Sequence, residues 1–232
     1  MSGEFVIKPV ARIQNEFNSK FGIPRQSGLL EGVSSTIIFE PQFRNPDALR
    51  GIEEYSHIWL IWQFSESLRD SFRPTVRPPR LGGNKRVGVF ATRSPFRPNS
   101  MGLSCVRLIC VRDTEKYGRV LEVAGADLMN GTPIFDIKPY VKYSDSHPEA
   151  ECSFSDEYSG YGLKVSVPYG LAGKMPEETL RAVVQMLKND PRPAYQHDAY
   201  REYAFEYGGF SVRFRVAGDT AEVTDILACD EQ

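Results

Sequence analysis

A chain of 232 residues, 41% hydrophobic and 12% aromatic, is long enough for one large domain or two modest ones and apolar enough to fill a sizeable core, which excludes a disordered protein. No run approaches the roughly 20 apolar residues of a membrane helix, and MSGEFVIKPVAR has neither the apolar centre nor the cleavage site of a secretory signal, so a cytoplasmic protein without a membrane partner is expected. The net charge is only −2, yet nine of the 28 basic residues and none of the 30 acidic ones fall between Ser71 and Arg112, a block able to attract phosphate whatever the charge of the whole. Cys105, Cys110, Cys152 and Cys229 form no CxxC pair and have no histidine at ligand spacing, so buried reduced thiols and no metal are expected.

In chain order, β-branched and aromatic runs between turn residues predict strands at 5–13, 35–39, 57–64, 86–90, 103–112, 119–125 and 133–140. One helix is predicted from Asn45-Pro46 through DALRGIEEY, which has a cap residue, proline at the first helical position and an early acid. Short strands with little helix point to a barrel or sandwich rather than a βαβ alternation. The polar, acidic stretch 143–160 predicts an interdomain linker. Beyond it, Leu163, Val165 and Val167 alternate as a half-buried strand, and Pro176 starts a helix with Leu180, Val183, Val184 and Leu187 on one face, stopped by Asn189-Asp190-Pro191. A hairpin ends the chain: Phe210, Val212, Phe214 and Val216 alternate with polar residues, Gly218-Asp219 turns, and 222–227 returns.

The stretch RPTVRPPRLGGNKRVGVFATRSPFRPNSMGLS, 73–104, combines arginines with five prolines that fix φ, while Gly82-Gly83 lets the chain turn. A stiff loop presenting guanidinium groups suits capture of carboxylate or phosphate. With this block, Pro24-Arg25-Gln26, Gly51-Ile52 through Ser56-His57-Ile58-Trp59, GADLMNGTPIFDIKPY at 125–140 and DPRPAY at 190–195, the sequence resembles the tRNA methyltransferases that N-methylate threonylcarbamoyladenosine next to the anticodon. The resemblance spans nearly the whole chain.

It implies a mainly β fold: an N-terminal antiparallel β-barrel, 1–145, that binds S-adenosylmethionine, a linker at 146–160, and a smaller C-terminal α+β domain, 161–232, with possible tRNA contacts. It also implies a homodimer and threonine tRNAs as substrate. Carried over by motif position, the cofactor would meet Gln26, Ser27 and Gly28, then Arg93, and Ala126, Asp127, Leu128 and Met129, with the stretch from Leu103 to Cys105 lining the pocket. Ser65-Glu66 stand where the family often carries His-Gln, so a contact there would run through the backbone. Gly28 would admit close backbone approach, Arg93 would pair with the methionine carboxylate, and Asp127 would bond a ribose or the amino group. The tRNA contacts would come from Arg77, Arg80, Lys85, Arg86, Arg97, Asn99, Lys138, Arg213 and Arg215. The glycine-rich turn of a doubly wound methyltransferase is missing: 120–127 has one glycine where that motif has three, and DLMNGTP follows in place of a helix.

Three titratable residues within the motifs are candidates for a general base: Asp127, Asp136 and His57. His57 also reads as a strand-end residue, and Asp136 with Lys138, two apart on one strand face, also reads as a structural ion pair. His147 and His197 read as solvated, and Tyr55, Trp59 and Trp62 as core. Two alternatives remain at this level: a non-catalytic RNA-binding module, and a methyltransferase of the same fold with a different acceptor.

Overall fold

The computed structural model describes residues 3, 5–30, 32–68, 71–78, 85–158, 160–192 and 198–229; Arg80, Gly82, Gly83, residues 193–195 of the DPRPAY stretch and His197 lie outside them. Strict alternation sets the first half. In β3 (His57–Gln63) Ile58, Leu60 and Trp62 turn to one face and are buried, while Trp59, Ile61 and Gln63 turn to the other. The same alternation runs through β1 (Ala11–Gln14), β2 (Ser34–Phe39) and the first eight residues of β6 (Met101–Thr114), while β7 (Gly118–Ala124) and β8 (Pro133–Pro139) complete the sheet with adjacent buried residues, Val120-Leu121 and Pro133-Ile134 among them. Their order is β1-β2-β7-β6-β3-β8, every pairing is antiparallel, and β8 returns to β1, so the sheet closes on itself. The closing seam is short: two residue pairs, with the Val10 N–H donating to the Ile134 carbonyl at 2.7 Å. Inside lie Ile13, Ile37, Leu60, Leu121, Val123 and Ile134. The mainly β reading of the sequence holds.

Between β3 and β6 the proline-rich block carries a small antiparallel pair, β4 (Thr75–Val76) with β5 (Val87–Gly88), so the strand expected at 86–90 shrinks to two residues. The helix expected after Asn45 is not formed. Asn45 does cap a turn, its side chain accepting from the Asp47 N–H, but the chain makes two single 3-10 turns, Pro46–Leu49 and Ile52–Glu54, separated by Gly51 at φ 85°. The cysteines depart from expectation as well: Cys110 and Cys152 are exposed, and Cys105 and Cys229 are partly exposed.

The second half is a four-stranded sheet ordered β10-β11-β12-β9, made of β9 (Lys164–Ser166), β10 (Tyr203–Tyr207), β11 (Phe210–Ala217) and β12 (Thr220–Ala228). Its longest helix, α3 (Glu177–Lys188), follows α1 (Lys142–Asp145) and α2 (Tyr169–Ala172) in the chain. Val183, Met186 and Leu187 of α3 pack on Phe205, Phe214 and Val223 of the sheet. Phe17, Leu30 and Val33, from the connection between β1 and β2, are buried in this same second core, and the Phe17 ring lies 5.5 Å from that of Tyr207. Full burial of such side chains is worth about 1.5–3 kcal/mol each. The connection at 15–33 is therefore built into both halves.

Candidate functional site

Two glycine turns bring distant motifs into contact. Gly28 and Gly125 both hold positive φ, 80° and 79°, and the Gly28 N–H donates to the Gly125 carbonyl at 2.9 Å. A Cβ on Gly125 would stand 3.2 Å from the Gly28 backbone, so the approach requires glycine. This contact sets Gln26-Ser27-Gly28 beside Ala126-Asp127, with the Ser27 N–H near the Asp127 carboxylate. From the strand side, the Ser104 hydroxyl donates to Asp127 Oδ1 at 2.5 Å, and Trp62 Nε1 donates to Ser104 Oγ at 2.9 Å. The indole lies flat where Gly102 has no side chain; a Cβ there would meet the ring at 2.3 Å. Burial pushes the Asp127 carboxyl up from the ordinary carboxylate value, and the bond from Ser104, the nearby backbone N–H groups and the Arg93 charge only partly offset it.

Arg93 reaches the cluster from the arginine block. Its Nη1 donates to Gln26 Oε1 at 2.5 Å, while Gln26 Nε2 donates to the Arg25 carbonyl at 2.6 Å. Arg25 in turn ties this loop to the second half, donating from Nη2 to the carbonyls of Asp190 at 3.0 Å and Arg192 at 2.5 Å. Those two residues form a buried ion pair, both side chains under 10% exposed, with Arg192 Nε and Nη2 on the two Asp190 oxygens at 2.8 and 3.0 Å and the Tyr161 hydroxyl donating at 2.7 Å. Burial alone would raise the Asp190 carboxyl, but the bonds from Arg192 and Tyr161 and the Arg192 charge outweigh it and hold the group below the ordinary value. Gln26, Arg93, Arg25, Arg73, Arg77 and Arg86 all line one groove of about 1770 Å³ that runs between the block and the second half. Glu151, Cys152, Phe154 and Ser155, within the expected linker, line it as well.

The family model described as the tRNA-methyltransferase O N-terminal domain matches residues 12–146, and that of the corresponding C-terminal domain matches 170–229. The chain belongs to this family. It is 37% identical to the tRNA (adenine(37)-N6)-methyltransferase of Escherichia coli strain K12 over 94% of this chain and 96% of that one. It is 41% identical to RcsF of Pseudomonas aeruginosa, a proposed S-adenosylmethionine-dependent methyltransferase, over 82% of this chain and 83% of the other. The crystal structure of TrmO from P. aeruginosa superposes with a TM-score of 0.79 at 30% identity, covering 98% of this chain and 99% of that one.

The remaining motif residues are spread more widely than the motifs suggest. Leu103 and Cys105 project from the opposite face of β6 to Ser104: Leu103 is 55% exposed and Ser104 1%. Ser104 is the β6 side chain that meets Asp127, and the two-residue strand period was the signal for it. Leu128 is buried in the barrel core, Ala126 is buried and Met129 half-buried, which leaves their backbones as the available groups. Ser65 and Glu66 form a 3-10 turn after β3, where the Lys20 ammonium bonds the Glu66 carbonyl.

Of the three base candidates only Asp127 joins the cluster. His57 begins β3, five residues from Trp62 and so roughly 16 Å away at about 3.3 Å per residue; it is exposed, and its Nδ1 pairs with Ser56 Oγ. Asp136 is paired with Lys138 at 2.7 Å on the outward face, beside Ile61 and Trp59 in register. Trp59, expected in the core, is only half-buried and donates to Asp145, and Tyr55 is 42% exposed. Arg97 is a strut, its Nη1 donating to the Thr92 and Ser94 carbonyls within its own loop. Asn99 and Lys85 are exposed, and Arg213 and Arg215 flank Glu202 on the second sheet. Among the described residues no group of His, Cys, Asp and Glu has the arrangement of a metal site, and no helix is long and apolar enough to cross a membrane.

Proposed function

We propose that this protein is an S-adenosylmethionine-dependent methyltransferase acting on N6 of threonylcarbamoyladenosine next to the anticodon, position 37, of threonine tRNAs. The observation that carries the reading is the joining of three separate motifs, at Gln26–Gly28, Arg93 and Asp127, through hydrogen bonds and close backbone contact beside an arginine-lined groove. The name of the E. coli relative supports the acceptor, and that of RcsF supports the cofactor.

The residues present fit S-adenosylmethionine. Gly28 faces open space at positive φ, Arg93 offers planar donors to a carboxylate, and Asp127 offers acceptors to hydroxyl or amino groups. When bound, that cofactor supplies a methyl group already activated on a sulfonium. The protein's part is alignment and one proton. The acceptor nitrogen is delocalised into the purine and the carbamoyl group, so it gains nucleophilicity only as its proton leaves. Asp127, whose carboxyl burial shifts toward neutral pH, takes that proton, and Ser104 and Trp62 hold its oxygen in place. The unpaired base enters from the groove, where Arg77 and Arg86 meet phosphates, with exposed Lys85 next to Arg86 in the chain adding a further contact.

The same reading divides the chain into a catalytic barrel at 1–145 and a smaller unit at 161–232 that positions Arg25 and adds tRNA contacts from Arg213 and Arg215. It includes a homodimer, for which exposed Leu103 and Ile109 on the outer face of β6 give an apolar contact, and a cytoplasmic location. The test is transfer of a radiolabelled methyl group from S-adenosylmethionine to threonine tRNA isolated from cells lacking the activity. Label in threonylcarbamoyladenosine supports the reading; label elsewhere, or none, rejects it.

A further inference from the structure

Two phenylalanines stand on the arginine block where a folded protein would ordinarily bury them. Phe90 is 74% exposed and Phe72 57%, and their rings lie 6.5 Å apart, 27° from parallel. The turn that carries Phe90 is pinned. Its neighbour Val89 is buried, the Val89 N–H donates to the Pro74 carbonyl at 2.9 Å, and Thr92 returns two bonds to the Val89 carbonyl through its N–H and hydroxyl. The pairing of β4 with β5 fixes the strands that lead into it. Phe90 therefore presents a ring from a fixed support.

The surroundings define the partner. Phe90 lines the groove together with Arg73, Arg77, Arg86 and Arg93, and the acidic residue lining it, among the described residues, is Glu151. Guanidinium groups interleaved with an exposed aromatic face match a chain that alternates phosphates with flat bases, as single-stranded nucleic acid does. A duplex keeps its base faces stacked and offers none to such a ring. A second copy docking here about a two-fold axis would bring the same arginines against each other.

We infer that Phe90, backed by Phe72, is a stacking platform for an unpaired base of the tRNA loop that carries the methylated adenosine. The inference rests on the tRNA reading given above and adds to it a site that holds a flanking base while the arginines hold the backbone. Because stacking involves no phosphate, its loss lowers affinity and leaves the salt dependence unchanged.

The full-length protein is titrated with a labelled anticodon stem–loop of threonine tRNA and with an RNA duplex of equal phosphate count. Phe90→Ala is expected to weaken stem–loop binding by roughly 5- to 150-fold, the range for one base–aromatic stack, with the log–log salt slope, duplex binding and S-adenosylmethionine affinity unchanged. Phe90→Trp restores binding, and Phe72→Ala shows a smaller loss. With 2-aminopurine in the loop, binding changes the fluorescence for wild type and not for Phe90→Ala. Wild-type affinity and fluorescence response in Phe90→Ala overturn the inference, as does an equal loss on the duplex or a loss traced to a changed oligomeric state in sedimentation. If Phe90→Ala is silent while Arg77→Gln with Arg86→Gln flattens the salt slope, only the stacking site falls. Failure of the wild-type protein to bind the stem–loop removes the tRNA reading with it.

Discussion

Asp190→Asn tests how the second half of the chain governs the first. The carboxylate takes buried bonds from Arg192 Nε at 2.8 Å, Arg192 Nη2 at 3.0 Å and the Arg192 N–H at 3.3 Å, and a partly buried one from the Tyr161 hydroxyl at 2.7 Å. Neutralising it leaves the Arg192 guanidinium buried without its counter-charge, a loss of about 3–5 kcal/mol. For a chain of this size about 2–4 °C of melting temperature accompanies each kcal/mol, so a fall of roughly 6–20 °C is expected. A second effect follows through the backbone. Arg25 is held by the Asp190 and Arg192 carbonyls, and Gln26, its neighbour, holds Arg93. Affinity for S-adenosylmethionine should therefore fall even at temperatures where the variant is folded, measured by calorimetry alongside thermal unfolding. The sign of the pH effect is fixed: the folded carboxyl lies below its ordinary value of 3.8, so its contribution is present above that pH and is lost on acidification through the lower, folded value. The variant should lack that component. An Asp190→Asn protein that melts within 2 °C, about the effect of a single kcal/mol, and binds the cofactor as wild type does would refute the reasoning.

Arg93→Ala should leave the fold intact and weaken cofactor binding by about 1.5–3 kcal/mol, the worth of a bond to a charged group; unchanged affinity in calorimetry rejects the assignment. Ser104→Ala removes a bond that lowers the Asp127 carboxyl, so the acid limb of the pH–rate profile should move to higher pH, while Asp127→Asn should abolish it. An acid limb that stays in place in Ser104→Ala excludes Asp127 as the base. Joint replacement of Arg77, Lys85 and Arg86 by glutamine should reduce the log–log salt slope for tRNA binding by roughly 0.7–0.9 for each phosphate no longer neutralised, and spare cofactor binding. A folded triple variant with the wild-type slope rules out this surface.

The strands were legible because half-buried β structure writes a two-residue period, and β3 and β11 stand where alternation puts them. Where a longer-range cause acts, the sequence was silent or misleading. The stretch after Asn45 carries a helix-start signal, but Gly51 in the left-handed region divides it into two single 3-10 turns. Residues 15–33 hold only scattered apolar side chains, and Phe17, Leu30 and Val33 make sense only beside a core formed by residues between Leu163 and Ile226. Strand β10 was missed although Tyr203, Phe205 and Tyr207 alternate with exposed neighbours. At the site, motif position offers the stretch from Leu103 to Cys105 as a whole, and the strand period turns Ser104 of the three toward Asp127. Motif membership alone also could not separate Asp127 from His57 and Asp136, because burial and distance, which distinguish them, are properties of the folded chain.

The central claim is a methyl group on one nitrogen of one nucleoside. The direct measurement is mass spectrometry of nucleosides from purified threonine tRNA of cells lacking the activity, with and without this chain expressed, and with its Asp127→Asn variant. The account predicts that N6-methylated threonylcarbamoyladenosine appears with the wild-type chain and is absent or strongly reduced with the variant. Unmethylated threonylcarbamoyladenosine in the presence of folded wild-type protein, or a new methyl on a different nucleoside, would contradict it.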